Sequence, residues 1–166
     1  MTEKYHYAFD VEYSGIPKEL PTDAKIFPAF ADKESKGVET SILWDTGATH
    51  SSLSTRIVRE LGLKSVDRGL VRGINSFKEV DIVIASIDFL NGWFLQNRRF
   101  SVNDIPGTDV LIGMDIIIMG DFYISNSGGK TQFSFAVPPF EHRISFTKIA
   151  EEINNLAAET ARYVVL

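Results

Sequence analysis

The sequence contains no cysteine, which excludes disulfides and thiolate metal sites. Its three histidines, His6, His50 and His142, show no metal-ligand spacing. No apolar run approaches the ~20 residues that span a bilayer. The first residues, Met1-Thr-Glu-Lys-Tyr-His-Tyr7, lack the apolar stretch of a secretory signal. Positive charge is also in short supply, with 17 Lys and Arg against 22 Asp and Glu, a net charge of −5. That balance gives no electrostatic reason to bind nucleic acid or an anionic membrane surface. No internal repeat is visible. These absences lead us to expect a soluble, cytoplasmic protein with no metal, no cofactor and neither nucleic acid nor membrane as partner.

What is present is enough for a folded domain. The chain has 166 residues, of which 44% are hydrophobic. That suits one domain with a proper core and argues against disorder. The most informative stretch is Ile42-Leu43-Trp44-Asp45-Thr46-Gly47-Ala48-Thr49-His50-Ser51-Ser52. Val38 to Trp44 reads as a strand, preceded by the charged, turn-like residues 31–37. It delivers Asp45 to the point where a buried strand ends and a glycine turn begins. Burial favours an unusual carboxylate there, and Gly47 permits close backbone approach. An Asp-Thr-Gly turn alone is weak, since Asp and Gly are common in structural turns.

A second stretch, Val110-Leu111-Ile112-Gly113-Met114-Asp115, strengthens the first. Together, Leu43-Trp44-Asp45-Thr46-Gly47-Ala48-Thr49 and this later apolar-apolar-Gly element resemble the retropepsin-like, single-domain aspartic peptidases. The resemblance covers roughly residues 25 to 137 and is nearest to the bacterial type. It implies an all-β fold, a closed β-barrel or sandwich with a flap hairpin and short helices. It also implies Asp45 as the catalytic residue, Thr46, Gly47 and Ala48 as the active-site loop, and Leu111, Ile112 and Gly113 as its support. The expected organisation is an N-terminal strand and extension over 1–24, the peptidase domain over 25–139, and a C-terminal helical extension over 140–166.

Taken in order, Tyr5 to Tyr13 alternates apolar and polar residues as a half-buried strand does. Residues 14–22 read as a loop by their Gly and Pro content. Ile26 to Phe30 resumes strand character, with Pro28 marking an edge or bulge. Leu53, Ile57, Val58 and Leu61 have helical spacing, with Ser51 or Ser52 as cap and Gly62 as stop. Residues 69–80 read as a hairpin around Gly73 and Asn75. The resemblance makes this the flap over substrate, carried by Val71, Arg72, Gly73, Ile74 and Asn75. Strands are expected over 80–90, 93–95 and 99–102, with Asn91-Gly92 as a turn. Arg98 and Arg99 are expected to be solvated, as is His6 on a surface strand. Residues 116–119 continue the second motif as a short buried helix or strand. A hairpin follows over 122–135 with Gly128 and Gly129 at its tip. Apolar residues at 149, 153, 156, 157 and 161 make an amphipathic C-terminal helix. It docks on the body or on a partner subunit.

Aspartic peptidases need two carboxylates sharing one proton and a water. This chain has one Asp-Thr-Gly and no repeat, so the resemblance implies a homodimer with one Asp45 from each subunit, acting on a peptide or protein substrate. An intrachain pair of Asp45 with Asp115 is the alternative, although turn and capping roles are expected for Asp109, Asp115 and Asp121. Apolar substrate subsites are expected. Two readings from other classes compete. Asp45-Thr-Gly-Ala-Thr49 also fits a phosphate loop of actin-like and sugar-kinase-like ATPases, whose two large lobes exceed this length. Alternatively, the fold is a catalytically silent, dimeric peptide-binding module.

Overall fold

The computed structural model describes residues 5–32, 34–72, 77–141 and 143–163, with side chains as far as residue 157. The elements are β1 (Tyr7–Glu12), β2 (Leu20–Pro28), β3 (Val38–Trp44), β4 (Ser52–Leu53), α1 (Thr55–Glu60), β5 (Asp67–Arg72), β6 (Phe77–Asp88), β7 (Phe94–Val102), β8 (Val110–Ile112), α2 (Met114–Ile117), β9 (Asp121–Ser125), β10 (Gln132–Val137) and α3 (Phe146–Tyr163). The all-β architecture expected from the sequence is what forms.

Seven strands run in the order β2-β3-β8-β4-β7-β6-β5, and β2 also pairs with β6. That last pairing, Lys25↔Asp88 to Pro28↔Ala85, closes the first six into a barrel and removes its open edges. Strand β5 hangs from the rim on β6 as one arm of a hairpin. Along β3, Val38, Ile42 and Trp44 are buried while Glu39 and Ser41 are exposed, the two-residue alternation of a strand with one face on the core. From neighbouring strands Val83, Ile87, Phe100 and Ile112 fill the same interior.

A smaller sheet, β1-β10-β9, lies against the barrel. Aromatic rings join the two. Trp44 meets Phe135 at 4.8 Å, Phe133 at 5.3 Å, Phe9 at 6.0 Å and Phe122 at 6.1 Å between ring centroids. Its indole N–H donates to Thr22 Oγ1 at 2.9 Å, so the polar end of a buried ring is satisfied. Each such ring pair contributes about 0.5–1.5 kcal/mol beyond area burial. The residue just before Asp45 is therefore fixed from several sides.

Some sequence expectations are corrected. Residues 20–22 belong to β2, with Leu20↔Trp44 and Pro21↔Leu43 in register, and not to a loop. Pro21 is tolerated because β2 pairs only with β3 there, leaving one side without a ladder partner. Pro28, expected at an edge or bulge, pairs with Ala85 of β6 but lies beyond the last β2–β3 pair, Ile26↔Val38, so it too has a ladder partner on one side only. The cap of α1 is Ser54, whose Oγ accepts from Ile57 N–H at 3.3 Å, and neither Ser51 nor Ser52. Ser52 is instead in β4. Where separate strands were expected over 93–95 and 99–102, one strand, β7, runs from Phe94 to Val102. Gly62 does stop α1, with φ +62°, the left-handed conformation glycine adopts without steric cost. Helix α3 starts three residues before the apolar repeat that predicts it, and every residue from 146 to 157 is exposed. Among the described residues no helix is long and apolar enough to cross a membrane.

Candidate active site

Asp45 lies immediately beyond β3, half-buried, with Thr46 and Gly47 exposed in the turn after it. Strands β3 and β8 are parallel neighbours, with Trp44 opposite Ile112. The ladder continues one residue further, as Asp45 N–H donates to the Ile112 carbonyl at 2.9 Å. The second sequence motif thus sits beside the first and fixes the backbone that carries the acid. The carboxylate is oriented by its own turn: Gly47 N–H donates to Asp45 Oδ1 at 2.8 Å. A Cβ on residue 47 would come within 3.1 Å of that same oxygen, so a side chain there would crowd the carboxylate. Ala48 N–H closes the turn onto the Asp45 carbonyl at 3.2 Å.

Gly113 and α2 hold the far side of the loop. Met114 N–H donates to the Ala48 carbonyl at 2.8 Å and Asp115 N–H to that of Thr49 at 3.2 Å. These contacts require Gly113 to lie almost against the loop. A Cβ on Gly113 would be 2.7 Å from the His50 carbonyl carbon and 2.9 Å from the Ala48 oxygen. Leu111 and Ile112 are buried beneath. The structure therefore brings Asp45, Gly47, Ala48, Ile112 and Gly113 together. Thr46 shares the exposed turn.

Asp115 is occupied elsewhere than at Asp45. Its Oδ1 accepts the Ser51 N–H at 3.0 Å and the Ser51 hydroxyl at 2.7 Å. Asp109 accepts from Ser54 Oγ and Arg56, and Asp121 from Phe140 N–H. Arg56, foremost, and Ser54 hold the Asp109 carboxyl below its ordinary value through their hydrogen bonds. Sequence reasoning missed Ser51, which is fully buried and joins α2 to the loop. The only signal was a serine shortly after one motif and an acid two residues after the Gly of the other.

The hairpin arms β5 and β6 are in register from Asp67↔Ile82 to Arg72↔Phe77, so Val71 and Arg72 stand on an arm as expected. Gly73, Ile74 and Asn75 lie outside the described residues. Between this hairpin, β7 and the Asp45 loop lies a cavity of about 570 Å³, reached by His50, Leu70, Val71, Phe100 and Asp115. It also carries arginines, where apolar subsites were expected. Arg68 pairs with Glu79 at 3.3 Å and Arg99 with Asp67 at 2.6 Å, while Arg98 Nη2 lies 3.8 Å from Met119 Sδ. Arg99 is exposed, as expected, while also pairing with Asp67, whereas Arg98 is half-buried and not simply solvated. His6 stacks on Phe140 at 4.8 Å and reaches the Pro138 carbonyl at 3.0 Å, away from any catalytic position. Among the described residues no group of three or more His, Asp or Glu forms a metal-binding cluster.

A family model described as gag-polyprotein putative aspartyl protease matches residues 32–118, which run from before β3 through α2 and include Asp45 and Gly113. The chain belongs to that family. Its architecture, mostly β-strands in sheets with few short helices, is the retropepsin-like fold. Among solved structures, the chain is similar to a retropepsin-like aspartic protease from Rickettsia conorii. That pair has a TM-score of 0.48 and 15% identity, over 82% of this chain and 99% of the other. It is also similar to the EIAV protease complexed with an inhibitor, with a TM-score of 0.47 and 23% identity over 63% of this chain and 89% of that one. The retroviral protease-like domain of Ddi1 from Leishmania major gives a TM-score of 0.40 at 17% identity, covering 68% and 92%. No curated protein is similar enough to match.

Proposed function

We propose that this aspartyl protease family member is an endopeptidase whose site is completed by a second copy, each contributing one Asp45. The observation that carries the proposal is the presentation of Asp45. Its carboxylate sits at a strand end, half-buried, oriented by Gly47 N–H at 2.8 Å, while Asp115 is committed to Ser51. One acid so held is half of a catalytic pair. Two carboxylates about 3 Å apart cannot both be ionised, so the pair holds one proton between them.

The chemistry follows from that shared proton. The ionised Asp45 takes a proton from a water as its oxygen attacks the scissile carbonyl carbon, and the protonated Asp45 donates to the carbonyl oxygen. Collapse of the tetrahedral species breaks the C–N bond as the dyad gives a proton to the departing amine and takes one from a hydroxyl of that species, which restores the singly protonated pair. The loop's backbone ties to Ile112 and to α2 keep both acids in position through this exchange, so that little reorganisation is needed. The β5–β6 hairpin covers the bound peptide and excludes water. Leu70, which is 65% exposed, and Val71 supply apolar contact beside it.

The test is cleavage of an unfolded protein substrate across about pH 4 to 8 by wild type and Asp45→Asn, with the solution mass of each. Cleavage by a dimeric wild type, lost in a dimeric Asp45→Asn, is the expected result. Retained cleavage in the variant would overturn the mechanism. A stable dimer that cleaves nothing at any pH would favour a peptide-binding module instead.

A further inference from the structure

The cavity beside the Asp45 loop is lined by three arginines, in a chain whose net charge is −5. Two of them are already neutralised. Arg68 pairs with Glu79 and Arg99 with Asp67, and all four side chains are exposed. Arg98 is different. It is half-buried, and among the described residues it makes no ion pair. Its one hydrogen-bond contact among them is from Nη2 to Met119 Sδ at 3.8 Å, and a thioether is a weak acceptor. A guanidinium carries its N–H donors in a planar fork, and most of that fork is left to water. Donors held partly out of solvent without a strong acceptor make a place for one.

The strand sets where this arginine stands. Arg98 is opposite Ala85 in the β6–β7 ladder, two residues before the buried Phe100. It lines the same cavity as His50 of the Asp45 loop and Val71 of the hairpin arm. Met119, its thioether neighbour, lies just beyond α2, whose Asp115 also lines the cavity. Asp115 is the one acid among the described lining residues, and its Oδ1 is taken by the N–H and hydroxyl of Ser51. At about 570 Å³ the cavity is of ligand-pocket size.

We infer that this cavity takes a peptide segment bearing an acidic side chain, and that Arg98 selects it through a two-pronged hydrogen bond to the Asp or Glu carboxylate. The inference rests on the reading of this cavity as the substrate site. Arginine holds a carboxylate by two parallel charge-assisted bonds, whereas the amide of Gln offers a weaker, neutral acceptor. Because Arg98 is already partly desolvated, less of the gain is lost to stripping its water on binding. A lysine at the same peptide position would set two cations together and be rejected. Leu70 and Val71 line the same space, so the acid is expected beside an apolar residue and the preferred segment is amphipathic.

The test uses decapeptide mixtures in which one position at a time is fixed as Glu, Gln or Lys. Wild type is assayed for cleavage, and Asp45→Asn for binding by fluorescence anisotropy. The Glu-to-Gln ratio is taken within one protein preparation, so any loss of folded protein cancels. At one position or more, Glu should exceed Gln about tenfold, the factor expected of a hydrogen bond to a charged group, and Lys should fall below both. Arg98→Gln should bring that ratio close to one. Arg98→Lys keeps the charge without the fork and should keep only part of the ratio. Arg143→Gln removes the same charge from an exposed arginine outside this cavity and should keep all of it. A ratio near one at every position, a ratio that survives Arg98→Gln, or one lost equally in Arg143→Gln would each overturn the inference. The two readings fail separately. Cleavage with no preference for Glu removes the acidic site and leaves the peptidase. Arg98-dependent binding of Glu peptides to Asp45→Asn, with no cleavage by wild type, keeps the acidic site and removes the peptidase. Peptides that neither bind nor are cleaved would remove both.

Discussion

Ser51 gives both its backbone N–H and its hydroxyl to one oxygen of Asp115, while its own Oγ accepts the Gly113 N–H at 3.0 Å. Three groups from two distant motifs are thereby bonded at one buried point. On the other side of Ser51 its carbonyl accepts from Ser101 N–H at 3.1 Å, which fastens the loop to β7. The loop carrying Asp45 is therefore anchored at both ends, by Ile112 where it leaves β3 and by this knot where it enters β4.

Asp115→Ala would leave the N–H and hydroxyl of the fully buried Ser51 without an acceptor. We expect a loss of about 1–3 kcal/mol of stability, read by chemical denaturation, with reduced cleavage from a looser loop. Asp115→Asn keeps a carbonyl oxygen at the same place and should recover most of both. This pair also separates the two kinds of dyad. If Asp115→Asn folds as stably as wild type yet abolishes cleavage, Asp115 is itself an acid of the catalytic pair.

Gly113→Ala is expected to be worse than its size suggests. The added methyl meets backbone, the carbonyl carbon of His50 at 2.7 Å, which cannot turn aside as a flexible side chain can. Overpacking of this kind costs about 1–3 kcal/mol. Because the displaced backbone is the active-site loop, kcat should fall more than the loss of folded protein explains. Normal kcat in the folded fraction would contradict this account of why glycine stands there.

Local pattern made much of this fold legible. Val38–Trp44 and its turn were evident because the apolar run Ile42-Leu43-Trp44 leads directly into Asp45-Thr-Gly. The two motifs were recognisable apart, but nothing in their spacing shows that β3 and β8 lie in parallel contact. Contacts between distant segments were the hidden part. A strand was readable from Tyr5 to Tyr13, and β1 forms from Tyr7 to Glu12, yet its partner is β10, from Val137 back to Gln132, far along the chain. Pro21 concealed the start of β2, because a proline rule cannot see which side of a strand lacks a partner. The first cap of α1 was misplaced for a related reason. Ser51 and Ser52 look like caps in sequence, but tertiary bonds to Asp115 and pairing in β4 claim them first. The amphipathic pattern of α3 announced an apolar face without telling what lies against it.

Asp109 is expected to link stability to pH. Its side chain accepts from Arg56 at 2.7 and 3.1 Å and from Ser54 Oγ at 2.5 Å, and its carbonyl accepts Ser54 N–H at 2.7 Å, so it joins the start of α1 to the start of β8. The Arg56 bonds, then that of Ser54, lower its folded pKa. A carboxyl with a depressed folded pKa contributes stability that is present above its unfolded value and is lost as pH falls through the folded one. The unfolded value is about 4, so the contribution is complete at neutral pH and disappears in the acid range below. Asp109→Asn cannot ionise and loses this part of the slope. Melting temperatures should therefore show wild type above the variant at pH 7 and the gap narrowing steadily below about pH 4. Asp67 and Asp104, whose values are also lowered, titrate in both proteins and cancel in the comparison. A gap that stays constant down to the acid limit would mean that shape, and not the charge of Asp109, holds α1 to β8.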